Sequence, residues 1–157
     1  MRVGHGYDAH KFQEGGRLVL GGVHVSYHKS LKAHSDGDVL IHALCDALLG
    51  AAGMGDIGRH FPDSADKYKD IDSRELLRHV VKMLDEEKLQ VSNTDITVIA
   101  QEPKLSPHIS EMLSNLSDDL EISSDRINIK ATTTEGMGFA GREEGIAVHA
   151  VVLLKEV

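Results

Sequence analysis

Asp8 and His10 stand two residues apart in the stretch GHGYDAH near the N-terminus, and both side chains can bind a metal ion. Side chains alternate between the two faces of a β-strand, so a strand here places Gly4, Gly6, Asp8 and His10 on one face. A carboxylate and an imidazole next to two glycines, which have no side chains, suit a metal or a phosphate better than a hydrophobic core. The alternative is an ordinary solvated strand end.

His42 is a third candidate ligand, in the stretch HSDGDVLIHALCD. It follows Asp38 and precedes Asp46 by one helical turn each, so a helix carries all three on one stripe. We interpret the two carboxylates as groups that orient a metal-bound imidazole, the alternative being a satisfied core histidine. Asp8, His10 and His42 would leave a fourth position open, as in catalytic zinc sites, although other transition metals accept the same ligands.

Two further stretches could bind a ligand. The segment GMGDIGRHFPDSADKYKD is long and rich in Gly and Asp, which is typical of a binding loop or of a solvated excursion. In ATTTEGMGFAGREEG, hydroxyls and backbone N–H groups could hold phosphate oxygens, and Glu135 could hold a hard cation. The alternative for this second stretch is a turn that only reverses the chain.

These residues must be positioned by strands and helices that alternate along the chain. A capping box of Asp72 and Glu75 is expected to start one helix, and Ser106 is expected to cap another before Pro107. Three helices can cover only one face of a sheet, so we expect an α+β fold: a mixed β-sheet with helices packed on one face and the other face buried in an oligomer. The expected strands are 1–8, 95–101, 127–133 and 145–156. Residues 17–25 are expected to form a hairpin or a bent strand, and helices are expected at 38–53, 73–88 and 107–120.

Composition limits the function classes. At 157 residues, we expect residues 1–157 to form a single domain with its own core. The net charge of −8 argues against nonspecific binding to nucleic acid or to an anionic membrane. We find no apolar run near the ~18 residues of a spanning helix, and no apolar signal core near the N-terminus. The only cysteine, Cys45, excludes an intramolecular disulfide and fits a cytoplasmic location.

Four stretches carry a resemblance from end to end of the chain: GHGYDAH, AHSDGDVLIHALCDALLGAAGMGDIGRHFPD, AQEPKLSPH and INIKATTTEGMGFAGREEGIAVHAV. Together they resemble the 2-C-methyl-D-erythritol 2,4-cyclodiphosphate synthase family of the non-mevalonate isoprenoid pathway. Tyr7 stands where Phe is expected, and Ala140 stands where Thr is commoner. Neither position is a proposed metal ligand.

The resemblance implies a homotrimer with each active site between two neighbouring subunits, in agreement with the uncovered sheet face. It implies Zn²⁺ on Asp8, His10 and His42, and a second divalent ion, Mg²⁺ or Mn²⁺, at Glu135 together with substrate. The implied substrate is a small nucleotide diphosphate, 4-diphosphocytidyl-2-C-methyl-D-erythritol 2-phosphate. A lyase of this kind closes it to the cyclic diphosphate and releases CMP.

The resemblance also assigns roles to individual residues. It makes His34 and Thr133 the groups that stabilise the transition state. In some members an isoprenoid diphosphate occupies a cavity on the trimer axis, near the equivalents of Phe139 and Arg142. The implied substrate-binding residues are Asp8, Ala9, His10, His34, Ser35, Asp56, Ile57, Gly58, Phe61, Pro62, Asp63, Ser64, Ala65, Ala100, Gln101, Glu102, Pro103, Lys104, Leu105, Ser106, Thr132, Thr133, Thr134, Glu135, Phe139 and Arg142.

Two other functions use the same three ligands. A zinc-dependent phosphoester hydrolase needs a general base beside the open position, and Asp56 or Asp63 could serve. A non-catalytic module with a structural zinc normally needs four protein ligands, and the sequence offers three. His5 faces away from the metal on strand geometry. We expect structural or solvated roles for the other histidines, which are His24, His28, His60, His79, His108 and His149.

Overall fold

The computed structural model describes residues 1–157. Its strands are β1 (Arg2–Glu14), β2 (Leu18–Leu20), β3 (Val23–Val25), β4 (Lys29–Leu31), β5 (Leu89–Ile99), β6 (Ile127–Thr132) and β7 (Gly145–Glu156). Its α-helices are α1 (Val39–Ala52), α2 (Ile57–His60), α3 (Ser73–Glu86), α4 (Ile109–Leu120) and α5 (Gly138–Gly141). Short 3-10 turns cover Asp66–Tyr68, Ser106–His108 and Ser124–Arg126.

A five-stranded mixed sheet organises the molecule, with strand order β4-β1-β7-β5-β6. The pair β5–β6 is parallel, and the other neighbouring pairs are antiparallel. β2 and β3 form the predicted hairpin as a separate two-stranded sheet. The predicted mixed α+β sheet is therefore confirmed.

Close packing of α1 on β1 explains two glycines of the opening stretch. A Cβ added to Gly6 would run into the carbonyl oxygen of Ala43, and one added to Gly4 would run into that of Ala47. The glycines therefore let the helix lie directly on the strand. This contact places His42, the residue before Ala43, beside Asp8 in the middle of β1.

One hydrophobic core of 38 buried residues joins the helices to the inner face of the sheet. Most of α1 is buried, as its nearly continuous apolar sequence predicted. α3 contributes the predicted stripe of Leu76, Leu77, Val80, Val81 and Leu84. The site residues of β1 and α1 are therefore held by the most densely buried part of the molecule.

The outer face of the sheet has no helix over it. Apolar side chains stand exposed there: Val3 is 71% exposed, Tyr7 47% and Val151 44%. This agrees with the expectation that helices pack on one face only. No helix of the molecule is both long enough and apolar enough to cross a membrane.

Two strand boundaries differ from the prediction. β5 begins at Leu89 rather than at residue 95, because a bulge between Val91 and Asn93 shifts the alternation of buried residues by one position. β1 runs on to Glu14, since its last residues pair with the short strand β4. The sequence pattern missed β4, α2 and α5, which are too short to show a period.

The predicted helix caps are also only partly right. The Asp72 carboxylate accepts a hydrogen bond from the backbone N–H of Arg74, but the Glu75 side chain makes no return bond, so there is no capping box. Ser106 opens a 3-10 turn and makes no side-chain cap. That turn precedes α4, which therefore begins at Ile109 and not at Pro107.

Candidate active site

The three predicted metal ligands meet beside the middle of β1. Asp8 Oδ2 lies 3.4 Å from His10 Nδ1 and 3.5 Å from His42 Nδ1, and the candidate ligand atoms all lie within 4.8 Å of one another. Ligands at about 2.0–2.1 Å around a tetrahedral ion stand roughly 3.3–3.4 Å apart, so the group fits a divalent metal ion. The other Asp8 oxygen accepts the backbone N–H of Ala9 at 2.9 Å, which fixes the carboxylate.

The far side of the His42 ring is held by two serine hydroxyls. Nε2 lies 2.9 Å from Ser73 Oγ and 3.1 Å from Ser35 Oγ. Ser73 Oγ in turn donates to Asp36 Oδ1 at 2.5 Å. Burial lowers the pKa of His42, but the hydrogen bond to Asp8 and the nearby carboxylate charges outweigh it, and the pKa lies above its ordinary value. A cation is therefore favoured at this ring.

Asp38 does not orient His42, contrary to the prediction. Its buried carboxylate accepts backbone N–H groups of Gly21 at 3.0 Å, Gly22 at 2.8 Å and Ile41 at 3.1 Å. It therefore caps α1 and ties the β2–β3 turn to that helix. Burial, with the charge of Asp36, raises the pKa of Asp38 to about 6 despite these donors.

Asp46 does not orient His42 either. Its carboxylate accepts the backbone N–H of Ile57 at 2.8 Å and so fixes the start of α2. Asp56 caps the same short helix by accepting the N–H of Arg59 at 3.0 Å. The long segment after α1 is thus anchored at its beginning and is not a solvated excursion.

A cavity of about 440 Å³ opens over the three ligands. It brings the metal-ligand group together with His34, Ser35 and part of the long segment. The predicted residues Ala9, Asp56, Ser64 and Ala65 do not line it. The sequence-predicted residues that line it are Asp8, His10, His34, Ser35, His42, Ile57, Gly58, Phe61, Pro62 and Asp63. The walls that sequence reasoning missed are Lys32, Ala33, Tyr68, Ile71 and Leu76.

His34 and Lys32 give this cavity polar groups suited to an anion. His34 Nε2 is buried and has no hydrogen-bond partner within the chain. Buried polar nitrogens are normally paired, so this atom is available to a ligand in the cavity. Lys32 is the only lysine or arginine among the lining residues. Lys32 lies two residues before His34, and this spacing could have identified it from the sequence as a candidate anion-binding residue.

A second cavity, of about 390 Å³, lies at the ends of β5 and β6. It gathers Thr133 and most of the predicted nucleotide-binding residues, but Glu102, Thr134 and Glu135 do not line it. Gln101 Oε1 accepts the backbone N–H of Gly136 at 3.2 Å and so ties the loop after β6 to this cavity. The lining residues are Ala100, Gln101, Pro103, Lys104, Leu105, Ser106, Ala131, Thr132 and Thr133.

The two cavities are separate within one chain. Strand register runs from Asp8 through Val148 and Val98 to Ala131, so both cavities lie at the same level of the sheet. Three strand spacings separate β1 from β6, which is about 14 Å. His34 and Thr133, the two predicted catalytic residues, therefore line different cavities.

The remaining predicted residues lie outside both cavities. Glu135 is exposed, with a left-handed backbone at φ 55°. Phe139 is 42% exposed, and Arg142 Nε donates to Glu144 Oε2 at 2.8 Å on the surface. One chain thus places these groups at the surface.

A pair of histidines on the outer sheet face was not predicted from the sequence. His5 Nε2 lies 3.0 Å from His149 Nδ1, and the Tyr7 ring stands 4.8 Å from the His149 ring. The two histidines come from opposite ends of the chain, so no local spacing could show the contact. The expectation that His5 faces away from the three metal ligands is confirmed.

Comparisons with known proteins agree with one family. The model of the YgbB family matches residues 1–155. A Thioalkalivibrio sulfidiphilus protein named 2-C-methyl-D-erythritol 2,4-cyclodiphosphate synthase is 62% identical over 155 residues, 99% of this chain and 97% of the relative.

Two solved structures share the fold over nearly the whole chain. The bifunctional IspDF from Campylobacter jejuni gives a TM-score of 0.96 at 48% identity over 99% of this chain. The chain spans 42% of that bifunctional protein. IspF of Plasmodium falciparum, in a CDP complex, gives a TM-score of 0.87 at 35% identity, covering 99% of this chain and 96% of the relative.

Proposed function

The chain belongs to the YgbB family, and we propose that it catalyses the metal-dependent cyclisation of 4-diphosphocytidyl-2-C-methyl-D-erythritol 2-phosphate. The products are 2-C-methyl-D-erythritol 2,4-cyclodiphosphate and CMP, in the non-mevalonate isoprenoid pathway. The observation that carries the proposal is the group of Asp8, His10 and His42, which faces a cavity that also holds the unpartnered nitrogen of His34. The enzyme is accordingly a phosphorus–oxygen lyase.

The reaction joins two anionic parts of one substrate. An oxygen of the 2-phosphate attacks the β-phosphorus, a new P–O–P bond closes the ring, and the bond from the β-phosphorus to the bridging oxygen breaks as CMP leaves. The substrate supplies its own nucleophile, so no protein nucleophile is needed. A divalent ion held by Asp8, His10 and His42 would neutralise phosphate charge at the reacting centre.

The protein itself contributes by positioning the substrate and by countering the negative charge of its phosphates. Lys32 brings a positive charge to the cavity lining, and His34 offers a ring nitrogen that has no other partner. The Ser35 hydroxyl accepts the Gly37 N–H at 3.3 Å and keeps its proton for a phosphate oxygen. Holding the chain of the substrate in a ring-closing shape can contribute about 7 kcal/mol or more in favourable intramolecular reactions.

We place Zn²⁺ at Asp8, His10 and His42, since two imidazoles and a carboxylate with one open position are typical of catalytic zinc. We place Mg²⁺ or Mn²⁺ at Glu135 when substrate is bound, since a lone exposed carboxylate needs phosphate oxygens to complete such a site. The fit of the ligand atoms supports the first assignment, and the family resemblance supports the second.

We further propose a homotrimer with active sites between neighbouring subunits. Two observations support this assembly. The cytidine and Thr133 cavity lies about three strands from the metal cavity, which leaves each chain with two half-sites. The outer sheet face also leaves Val3, Tyr7 and Val151 exposed, and such faces are normally covered by another subunit. Light scattering on the purified protein should give three times the chain mass.

Some finer assignments rest on the family resemblance. An isoprenoid diphosphate would occupy a cavity on the trimer axis near Phe139, with Arg142 binding its phosphate. Residues 1–157 form a single domain, supported by the one hydrophobic core. A cytoplasmic location is supported by the lone reduced Cys45, since disulfides are rare in that compartment. The net charge of −8 argues against a nucleic-acid or membrane partner.

Phosphorus NMR tests the reaction directly. Purified protein is incubated with the substrate and Mg²⁺, with and without a strong chelator. We expect CMP and a cyclic diphosphate, both lost with the chelator. A linear hydrolysed product instead would indicate a phosphoester hydrolase with Asp63, which lines the cavity, as general base. An unchanged substrate spectrum with every divalent ion would refute the proposed reaction.

A further inference from the structure

We infer that Ser73, acting with Asp36, is a positioning residue that selects the metal-binding form of His42. The inference rests on the metal site of the proposed function and deepens it. Ser73 is completely buried at the first residue of α3, 31 positions after His42 in the chain. It does not line the cavity over the three ligands, so it acts on the metal through His42.

The direction of the hydrogen bonds follows from the single proton of the serine hydroxyl. Asp36 Oδ1 accepts only, and it lies 2.5 Å from Ser73 Oγ, so the hydroxyl proton points to the carboxylate. Ser73 Oγ can then only accept from His42 Nε2, which lies 2.9 Å away. The ring therefore carries a proton on Nε2, which leaves Nδ1 as the nitrogen that can bind a metal ion. Nδ1 is the atom that faces Asp8 Oδ2 at 3.5 Å.

Ser35 does not reverse this choice. Its hydroxyl lies 3.1 Å from the same His42 nitrogen and could in principle donate to it. An unprotonated Nε2 would then face the lone pairs of Ser73 Oγ at 2.9 Å with no proton between them. That contact is repulsive, so Ser73 decides which ring nitrogen carries the proton.

Asp36 is itself held in place from three directions. Besides the Ser73 hydroxyl, it accepts the backbone N–H of Ser73 at 2.9 Å and that of Asp38 at 3.0 Å. The carboxylate therefore cannot turn away without losing charge-assisted bonds. A fixed carboxylate behind a metal-bound imidazole raises the basicity of that ligand. The hydrogen-bonded series from Asp36 through Ser73 to His42 thus supports metal binding, although Asp36 and Ser73 do not themselves bind the metal.

The test measures the zinc dissociation constant of the full chain by competition with a chromophoric chelator. Replacing Ser73→Ala removes the acceptor for His42 Nε2–H, and we expect zinc binding to weaken about 10- to 100-fold. The matched control is Arg74→Ala, on the next residue of the same helix. It breaks the Arg74–Asp119 bonds of 2.7 and 3.0 Å but leaves His42 untouched. The control should bind zinc within about twofold of the parent, because loss of helix stability alone does not move Nδ1.

Asp36→Asn provides a second variant in case Ser73→Ala fails to fold. The amide lacks the negative charge, and its NH2 group cannot accept the hydrogen bond that one carboxylate oxygen now accepts, so the hold on Ser73 loosens and zinc binding should again weaken. Equal zinc affinity of parent, Ser73→Ala and Asp36→Asn would overturn the inference, as would equal weakening in Arg74→Ala. A parent that binds no zinc would instead overturn the metal site of the proposed function, and the inference with it.

Discussion

Replacing Gly6→Ala tests whether close packing of α1 on β1 sets the geometry of the metal site. The added Cβ would run into the carbonyl oxygen of Ala43 and lie 2.8 Å from the backbone nitrogen of Ala47. Neither atom belongs to a flexible side chain, so the helix as a whole must retreat by about an ångström. Part of the dispersion contact along the whole interface is then lost.

The cost of this retreat is large for a single methyl group. Overpacking in a well-packed core typically costs about 1–3 kcal/mol, and a clash with helix backbone places Gly6→Ala at or above about 3 kcal/mol. His42 precedes Ala43 and moves with the helix away from Asp8. Because metal sites tolerate displacements of only about 0.5 Å, zinc binding should weaken by at least about tenfold.

Urea unfolding followed by far-UV circular dichroism, at one fixed protein concentration, measures the stability change. Gly50→Ala is the matched control, since the nearest atom to its added Cβ is His5 O at 4.0 Å. Gly50 lies within α1, so this substitution should stabilise the helix by up to about 1 kcal/mol. A Gly6→Ala loss below about 0.5 kcal/mol, or unchanged zinc binding, would refute the packing argument.

Three further predictions concern the site and its surroundings. His42→Ala should abolish zinc binding and turnover while light scattering still shows the parent's assembly; loss of the assembly as well would make the metal structural. Burial raises the pKa of the Cys45 thiol, so a thiol reagent should react with it only after unfolding, and fast reaction in the native protein would contradict the buried α1. The raised pKa of His42 means that protons compete with the metal at a higher pH than for an ordinary histidine. Chelator competition from about pH 8 to 6 should therefore show zinc affinity falling before pH 6.5 is reached; a constant affinity over that range would contradict the assignment of His42 as a ligand.

Two of the three candidate metal ligands could be brought together from the sequence because local periodicity fixes the direction of side chains. The period of a strand puts Asp8 and His10 on one face, and the structure keeps them there. The third ligand depends on tertiary packing, which Gly4 and Gly6 permit by admitting α1. The glycines were visible in the sequence, but their function in helix packing was not.

The surroundings of His42 were harder to predict, because helical spacing identifies a face but not a hydrogen-bond partner. Asp38 and Asp46 share the stripe of His42, yet both carboxylates bind backbone N–H groups at helix starts. The groups that do hold the ring include Ser73, whose contact depends on how α3 docks. Such contacts over long sequence separation leave no periodic signal.

Subunit complementation tests the central claim, a cyclisation site divided between neighbouring chains, most directly. His34→Ala damages the metal cavity and Thr133→Ala the second cavity, so each variant alone should be inactive. In trimers assembled from equal amounts of both, an interface joins two intact half-sites in about a quarter of cases. We expect CMP and cyclic diphosphate at about a quarter of the parent's rate. Activity no higher than the sum of the separate variants would contradict it.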